Sequence, residues 1–284
     1  MPLLIKQQTS ILQLILAMFN APPGTSNLNY LTVQLNNGQA LESLAQSLAQ
    51  TILFFDKQYD VNLSPIDFSA ALTRDLFGNR LSHKNQALII DYMVNKISAG
   101  SSQVELIVEF VSVLSSVSTS DSNWGEAALH YNRHNVTKFI DHLLGDTFTA
   151  ENKAVVIEFI LTQMKAGKTF GAMIVWGIRT LVNVDLDNPV WGNAAKLFNH
   201  RVEVAKYHSI DRNGVVTDLA TLQQILSGVT VNSETIMIAK AAIDTLQDNS
   251  CTRIQHLNAF RLDEALKNKK QDSDLSSAQE LRFA

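Results

Sequence analysis

The 284-residue sequence holds one cysteine, Cys251, which excludes an intramolecular disulfide and any metal cluster built on cysteines. Charge is also scarce: 18% of residues are charged, against about a quarter in ordinary globular domains. Before Asp56 the only charged side chains are Lys6 and Glu42. With a net charge of −4 and a pI near 6.0, no basic field invites nucleic acid. No apolar run reaches the roughly 18 residues a spanning helix needs, so no membrane span is expected. Glu105 and Glu109 break one candidate run and Arg179 another. The run Ile11 to Phe19 comes after Lys6 in the manner of a secretory leader. Gln13 interrupts it, and no small-x-small cleavage pattern precedes Asn20 and Ala21, so cleavage is not expected.

Chemical motifs are equally sparse. The sequence has no Gly-x-Ser-x-Gly elbow and no glycine loop for cradling phosphate. Gly167-Lys168-Thr169 resembles the end of such a loop, but no glycine stands five residues earlier. Hairpin dipeptides between alternating runs are missing, which argues against strands. What remains is a chain 46% hydrophobic, with a surface to be built from Asn, Gln, Ser and Thr. That balance is common among secreted bacterial surface proteins.

The dominant positive signal is an internal repeat of 67 residues. Trp124-Gly125-Glu126-Ala127-Ala128 and Trp191-Gly192-Asn193-Ala194-Ala195 agree at four of five positions. In the same register Gly78 meets Gly145, Ser82 meets Thr149, Gly100 meets Gly167 and Ser102 meets Thr169. These residues punctuate helices. Ser82 and Thr149 are suited to cap a first helix, Gly100 and Gly167 to end it, and Ser102 and Thr169 to cap a second. Asp121 and Asn188 are expected to cap a third, with Pro189 in its first turn.

The expected fold is therefore all-α: tandem three-helix repeats packed into one elongated domain over 1–248. A degenerate unit spans 8–72, two full units span 73–139 and 140–208, and closing helices fill 209–248. In the degenerate unit Met18-Phe19-Asn20 stands for Leu76-Phe77-Gly78, Gly38 stands for Gly100, and Ser64-Pro65 opens the third helix. Residues 249–284 form a charged tail. The units should share one continuous core.

Several constellations have a chemical reading beside a structural one. His130 and His134 stand four apart, so one helix face could offer both rings to a metal. A zinc protease would place Glu beside the first His, and Leu129-His130-Tyr131 does not. Two imidazoles on a polar face is the preferred account, with a metal-dependent hydrolase as the alternative it leaves. Asp185, Asp187 and Asn188 offer oxygens that calcium favours, but fewer than the six to eight it takes. Asp211-x-Asn213-Gly214 starts like a calcium loop without its closing carboxylate. Turn and capping chemistry is preferred for both, leaving calcium as the only cofactor to be entertained. Cys251 has only His256 nearby and is not expected to be a nucleophile. Trp124 and Trp191 would suit a sugar's apolar face, but their repeated place, read as one turn inside a helix, favours packing anchors.

The stretch Asp91-Tyr92-Met93-Val94-Asn95-Lys96-Ile97-Ser98-Ala99-Gly100, downstream of Leu76-Phe77-Gly78, resembles a helical repeat domain of unknown function. That domain occurs in secreted bacterial S-layer proteins and calcium-repeat exoproteins. The segment Trp191 to His208 resembles the part that ends such regions. Thr217-Asp218-Leu219-Ala220-Thr221-Leu222 resembles the next segment of those proteins. The likeness covers roughly Gln7 to Leu246. It implies an N-terminal anchoring region of the S-layer kind, exported by a type I system without a cleaved leader and attached to surface polysaccharide or lipopolysaccharide. Self-association would fit a lattice protein. The sequence departs from the family in having Asn79-Arg80-Leu81-Ser82 where Pro-Asp often succeeds Phe-Gly-Arg, and Tyr92-Met93 where a Tyr-Trp pair is usual. The calcium repeats usual in the C-terminal part of the family are absent. The expected function is thus non-enzymatic attachment at a bacterial surface, with an intracellular helical scaffold as the competing reading.

Overall fold

The computed structural model describes residues 2–215 and 219–246. Cys251, His256, the tail 249–284 and the pair Thr217-Asp218 lie outside the described residues. Those described form helices joined by short turns, with no strand among them. In chain order these are α1 (Pro2–Phe19), α2 (Thr25–Asn36), α3 (Leu41–Ala49), α4 (Ile52–Phe55), α5 (Pro65–Phe77), α6 (His83–Ser98) and α7 (Gln103–Ser116). Next come α8 (Gly125–Leu144), α9 (Ala150–Lys165), α10 (Phe170–Val182), α11 (Gly192–Lys206), α12 (Leu219–Ser227) and α13 over 234–246. No helix among the described residues is long and apolar enough to cross a membrane.

Hydroxyl caps start the helices where the sequence places them. Ser82 accepts from the Asn85 amide (3.2 Å) and Thr149 from the Asn152 amide (3.3 Å), each satisfying an otherwise orphaned donor. Ser102 and Glu105 close a reciprocal box, the Ser102 amide donating to Glu105 Oε2 at 2.8 Å. Thr169 accepts from the Ala172 amide, and Ser64 from the Asp67 amide ahead of Pro65. Gly38, Gly100 and Gly167 succeed their helices at φ +91°, +103° and +95°, a left-handed conformation that glycine adopts without a Cβ penalty. Gly78 and Gly145 also share their backbone, φ +55° and +58°, and Asn20 takes φ +50° after Phe19. Helix starts recur 67 residues apart, at 83 and 150, 103 and 170, and 125 and 192.

Two local expectations change. α8 and α11 begin at Gly125 and Gly192 rather than just after Asp121 and Asn188. Asp121 Oδ1 accepts from the amides of Asn123 and Trp124, and Asn188 Oδ1 from those of Val190 and Trp191. Both side chains thus hold a turn that precedes the helix, and Pro189 lies in that turn. The turn folds back so tightly that a Cβ on Gly125 would sit 2.5 Å from the Thr119 carbonyl oxygen, and one on Gly192 2.3 Å from that of Leu186. Only glycine fits. Trp124 and Trp191 consequently stand at the helix entrance, not one turn inside.

The packing also differs from a string of units that touch only their neighbours. α1 carries Ile11, Leu14, Ala17 and Met18 at 0% exposure and packs against α2, α8, α10 and α11. The leader-like apolar run Ile11 to Phe19 is thus the central helix of the core. α3 packs most extensively on α10, far along the chain. There a Cβ on Gly171 would lie 2.2 Å from the Glu42 carbonyl oxygen, and the Gly171 amide donates to Gln46 Oε1 at 2.9 Å. Early and late helices are therefore in direct contact, α1 with α8, α10 and α11 and α3 with α10.

The buried side chains form two clusters rather than one continuous core. The larger joins α1–α3 to α8–α13 through Phe139, Ile140, Ile174 and Phe198. The smaller gathers α5–α7 and the start of α8 through Phe68, Phe77, Met93 and Leu106. α8 serves both, its first turns facing one cluster and its later turns the other.

Trp124 and Trp191 are half-buried at the edges of these clusters. Trp124 leans on Phe77 (centroids 6.2 Å apart) and Trp191 on Phe148 (4.5 Å). Both rings pack on a neighbour, and partial exposure lowers what that packing contributes. We expect Trp124→Ala and Trp191→Ala each to cost about 2 kcal/mol, below the roughly 3–5 typical of a fully buried indole. Urea unfolding of the two variants measures this.

Candidate functional site

Where the end of α7 meets α8 and the α9–α10 turn, the chain leaves a polar cleft of about 290 Å³. Ser115, Ser116, Ser118 and Thr119 line one side. Asn132 and Asn135 of α8 also line it, as do Lys165, Lys168 and Thr169 at the α9–α10 turn. Gln46 of α3 is part of the lining as well. The last hydroxyls of α7 turn back on their own helix, and the connection from 117 to 124 adds Ser118 and Thr119 to the lining. Ser115 Oγ donates to the Val111 carbonyl at 2.7 Å and Ser116 Oγ to that of Val113 at 2.8 Å. Tyr131 is 3% exposed beneath the cleft. Burial pushes its phenol pKa up, and hydrogen bonds to Asn135 and Ser115 oppose the shift. The lining offers amides, hydroxyls and two ammonium groups, and no carboxylate or imidazole. Such a surface is suited to hold a hydroxyl-rich ligand by hydrogen bonds.

Sequence reasoning misses this cleft, because nothing in the Ser-rich stretch 115–120 distinguishes it from an ordinary loop. Asn132 matches Asn199 in the repeat register but belongs to no motif. The signal available is the coincidence of that loop with Gly167-Lys168-Thr169, which only the helix packing brings together.

The metal candidates lie elsewhere. His130 and His134 do share a face of α8. His130 rests over Gly78, its Nε2 3.2 Å from where a Cβ would stand, and burial and then Arg80 hold its pKa down. His134 is exposed in part, and its pKa is lowered by desolvation first, then by Lys138, Lys57 and His130, against Asp75. Among the described residues no three His, Cys, Asp or Glu side chains are grouped to hold a metal ion. Asp185 Oδ1 accepts from the Asp187 amide at 3.0 Å, and Asp187, 95% exposed, faces Lys196 at 3.8 Å. Gly78, Gly100, Gly145 and Gly167 mark helix ends, Gly167 also bordering the cleft.

The α8 stripe continues to His142, whose Nδ1 lies 2.8 Å from the Met18 carbonyl oxygen. Burial pushes this imidazole down to about 4, Lys138 and Arg201 adding to the effect and the Met18 carbonyl opposing it. His208, 1% exposed in the π-helical turn Tyr207–Asp211, is also lowered by burial. Because the folded chain favours neutral imidazole, this stabilisation is fully present above the unfolded value near 6.5 and lost as pH falls toward about 4. For His142 the loss is at most about 3 kcal/mol. Urea midpoints taken between pH 7 and about 4.5 should fall, and His142→Gln should flatten the slope. An unchanged slope in that variant counts against His142 as the cause.

Trp176, to which no sequence motif points, is 41% exposed on α10. It stacks on Phe159 (5.1 Å) beside the Arg179–Glu42 ion pair (3.0 Å). Its repeat counterpart is Glu109, so it stands outside the matched positions. Comparison of the chain with protein-family models, curated proteins and solved structures finds no match to any of them.

Proposed function

We propose that the chain is a non-enzymatic attachment module of a bacterial cell surface, built from tandem three-helix units. On this reading it holds surface polysaccharide or lipopolysaccharide in the cleft between its second and third units. The tandem arrangement is supported by helix starts, caps and glycine conformations that recur at one spacing. In that scheme α2, α3 and α5 are the degenerate unit, α6–α8 and α9–α11 the full ones, and α12–α13 the closing helices. The single observation that carries the function is the cleft itself, whose polar lining is hydroxyls and amides, with Lys165 and Lys168 as the charged side chains among the described residues and Val117, Met164 and Phe170 as apolar wall. The resemblance from Gln7 to Leu246 to helical regions of S-layer and calcium-repeat exoproteins points to the same ligand class. Neutral sugar recognition depends little on salt, because there are few ion pairs to screen.

Fractionation of the native host, with a pull-down on its surface glycan, tests the proposal. The chain should be found at the cell surface and should be retained by the glycan. If the glycan is ignored while a cytoplasmic protein co-purifies stoichiometrically, the scaffold reading replaces it.

A further inference from the structure

We propose that an open hollow on the outer ridge of α10 is a binding site for a neutral pyranose sugar, stacked on the indole of Trp176. The hollow shares no lining residue with the polar cleft, and the inference does not need the attachment reading. Of the three tryptophans only Trp176 is exposed. Trp124 and Trp191 recur in the 67-residue register, as packing residues of a repeat do. Trp176 does not, since Glu109 takes its place there. The indole packs on Phe159, with 5.1 Å between centroids, and is still left 41% exposed.

The hollow, about 440 Å³, is lined by Ala172, Trp176, Arg179, Thr180 and Asn183 of α10 and by Glu42 of α3. The α10 residues fall at helical spacing and form one ridge. Glu42 reaches that ridge because α3 and α10 meet at backbone distance beside Gly171. It is the only carboxylate before Asp56, and it pairs with Arg179 at 3.0 Å. The pair cancels its own charge, so a neutral ligand is favoured. Arg179 keeps further N–H donors and Glu42 a second oxygen. Asn183 donates to the Arg179 carbonyl at 2.8 Å, which leaves its Oδ1 as an acceptor. A flat apolar ring beside donors and acceptors calls for a ligand divided in the same way. A pyranose with equatorial hydroxyls has C–H groups on its faces and hydroxyls around its edge. Its face suits the indole, and its edge suits Arg179, Glu42 and Asn183, through charge-assisted bonds at the first two. A purely apolar occupant would take water from the ion pair and the amide without replacing their hydrogen bonds, a cost the sugar does not incur. The volume is within the range of small-molecule sites, about 300–1,000 Å³.

The test is titration of the ¹⁵N-labelled full chain with methyl β-glucopyranoside, followed through the indole N–H signals of its three tryptophans. The Trp176 signal should shift saturably while those of Trp124 and Trp191 stay in place. Cyclohexanol, a ring of like size with one hydroxyl, should bind about tenfold more weakly or worse. Arg179→Met keeps the side-chain stem and removes the donors, and should weaken sugar binding by about tenfold. In Trp176→Leu the backbone amides of Arg179 and Asn183 should no longer respond to the sugar. Positions 176 and 179 are both exposed, so each variant is expected to fold. A Trp176 signal unmoved by the sugar overturns the proposal, as does cyclohexanol binding equally well or Arg179→Met binding undiminished. A Trp176 signal that shifts on concentrating the chain alone, and not with sugar, makes the hollow a contact between copies and also overturns it. None of these outcomes depends on whether the cleft binds glycan.

Discussion

A Gly171→Val variant is expected to lose about 3 kcal/mol or more of stability, because α3 and α10 meet there at backbone distance. A Cβ would stand 2.2 Å from the Glu42 carbonyl oxygen and 2.7 Å from the Gln46 amide nitrogen. These are helix-backbone atoms and cannot swing aside as a side chain does. α3 would have to move off α10, breaking the bond from the Gly171 amide to Gln46 and uncovering Ala45 and Ala49. Gly167→Ala is the contrasting case. A Cβ there meets nothing within 4 Å, so only the strain of φ +95° is at stake, about 1 kcal/mol. Calorimetric unfolding of the two variants separates the effects. Equal losses would mean that the α3–α10 contact does not hold the fold together.

Phe139→Ala should cost about 3–5 kcal/mol, as expected for a fully buried ring removed from a packed core. Phe139 is 0% exposed and meets Phe170 edge-on at 6.3 Å. Its Cζ lies 3.0 Å from where a Cβ on Gly177 would be. The ring therefore fills the space left by a glycine on α10, and α8 cannot collapse into the cavity without displacing α10. Phe139→Leu, which keeps most of the volume, should cost far less. Denaturant midpoints of the two variants measure the difference. A Phe139→Ala chain as stable as the parent would contradict the placement of α8 in the larger cluster.

Helix punctuation is legible in the sequence because it is local. Ser82, Ser102, Thr149 and Thr169 cap through atoms three residues away, and Gly100 and Gly167 end helices through their own φ. The entrances of α8 and α11 mislead for an instructive reason: an Asp or Asn that caps a helix and one that holds an Asx turn look alike in sequence. Trp-Gly is the discriminating pair, since Gly125 and Gly192 are needed only if the chain folds back on residues 119 and 186. The closure of α3 onto α10 leaves no periodic trace beyond the apolar face each helix would need against any partner. α1 is ambiguous because a centrally buried helix and a leader share the same long apolar run. The cleft is illegible in another way. Its lining comes from α3, α7, α8 and the α9–α10 turn, residues as far apart as Gln46 and Thr169, and no short motif spans them.

Affinity for purified surface polysaccharide of the native host, compared between the parent chain and Asn132→Leu, tests attachment through the cleft most directly. Asn132 is half-buried in the cleft lining, and leucine replaces its amide with a side chain of similar size. Losing the hydrogen bonds of one lining amide to sugar should weaken binding by about tenfold, with the melting temperature unchanged. Binding by the parent should persist when salt is raised to about 0.5 M, since neutral hydroxyls are not screened. A parent chain that does not bind the polysaccharide, or an Asn132→Leu chain that binds it equally well, contradicts the account.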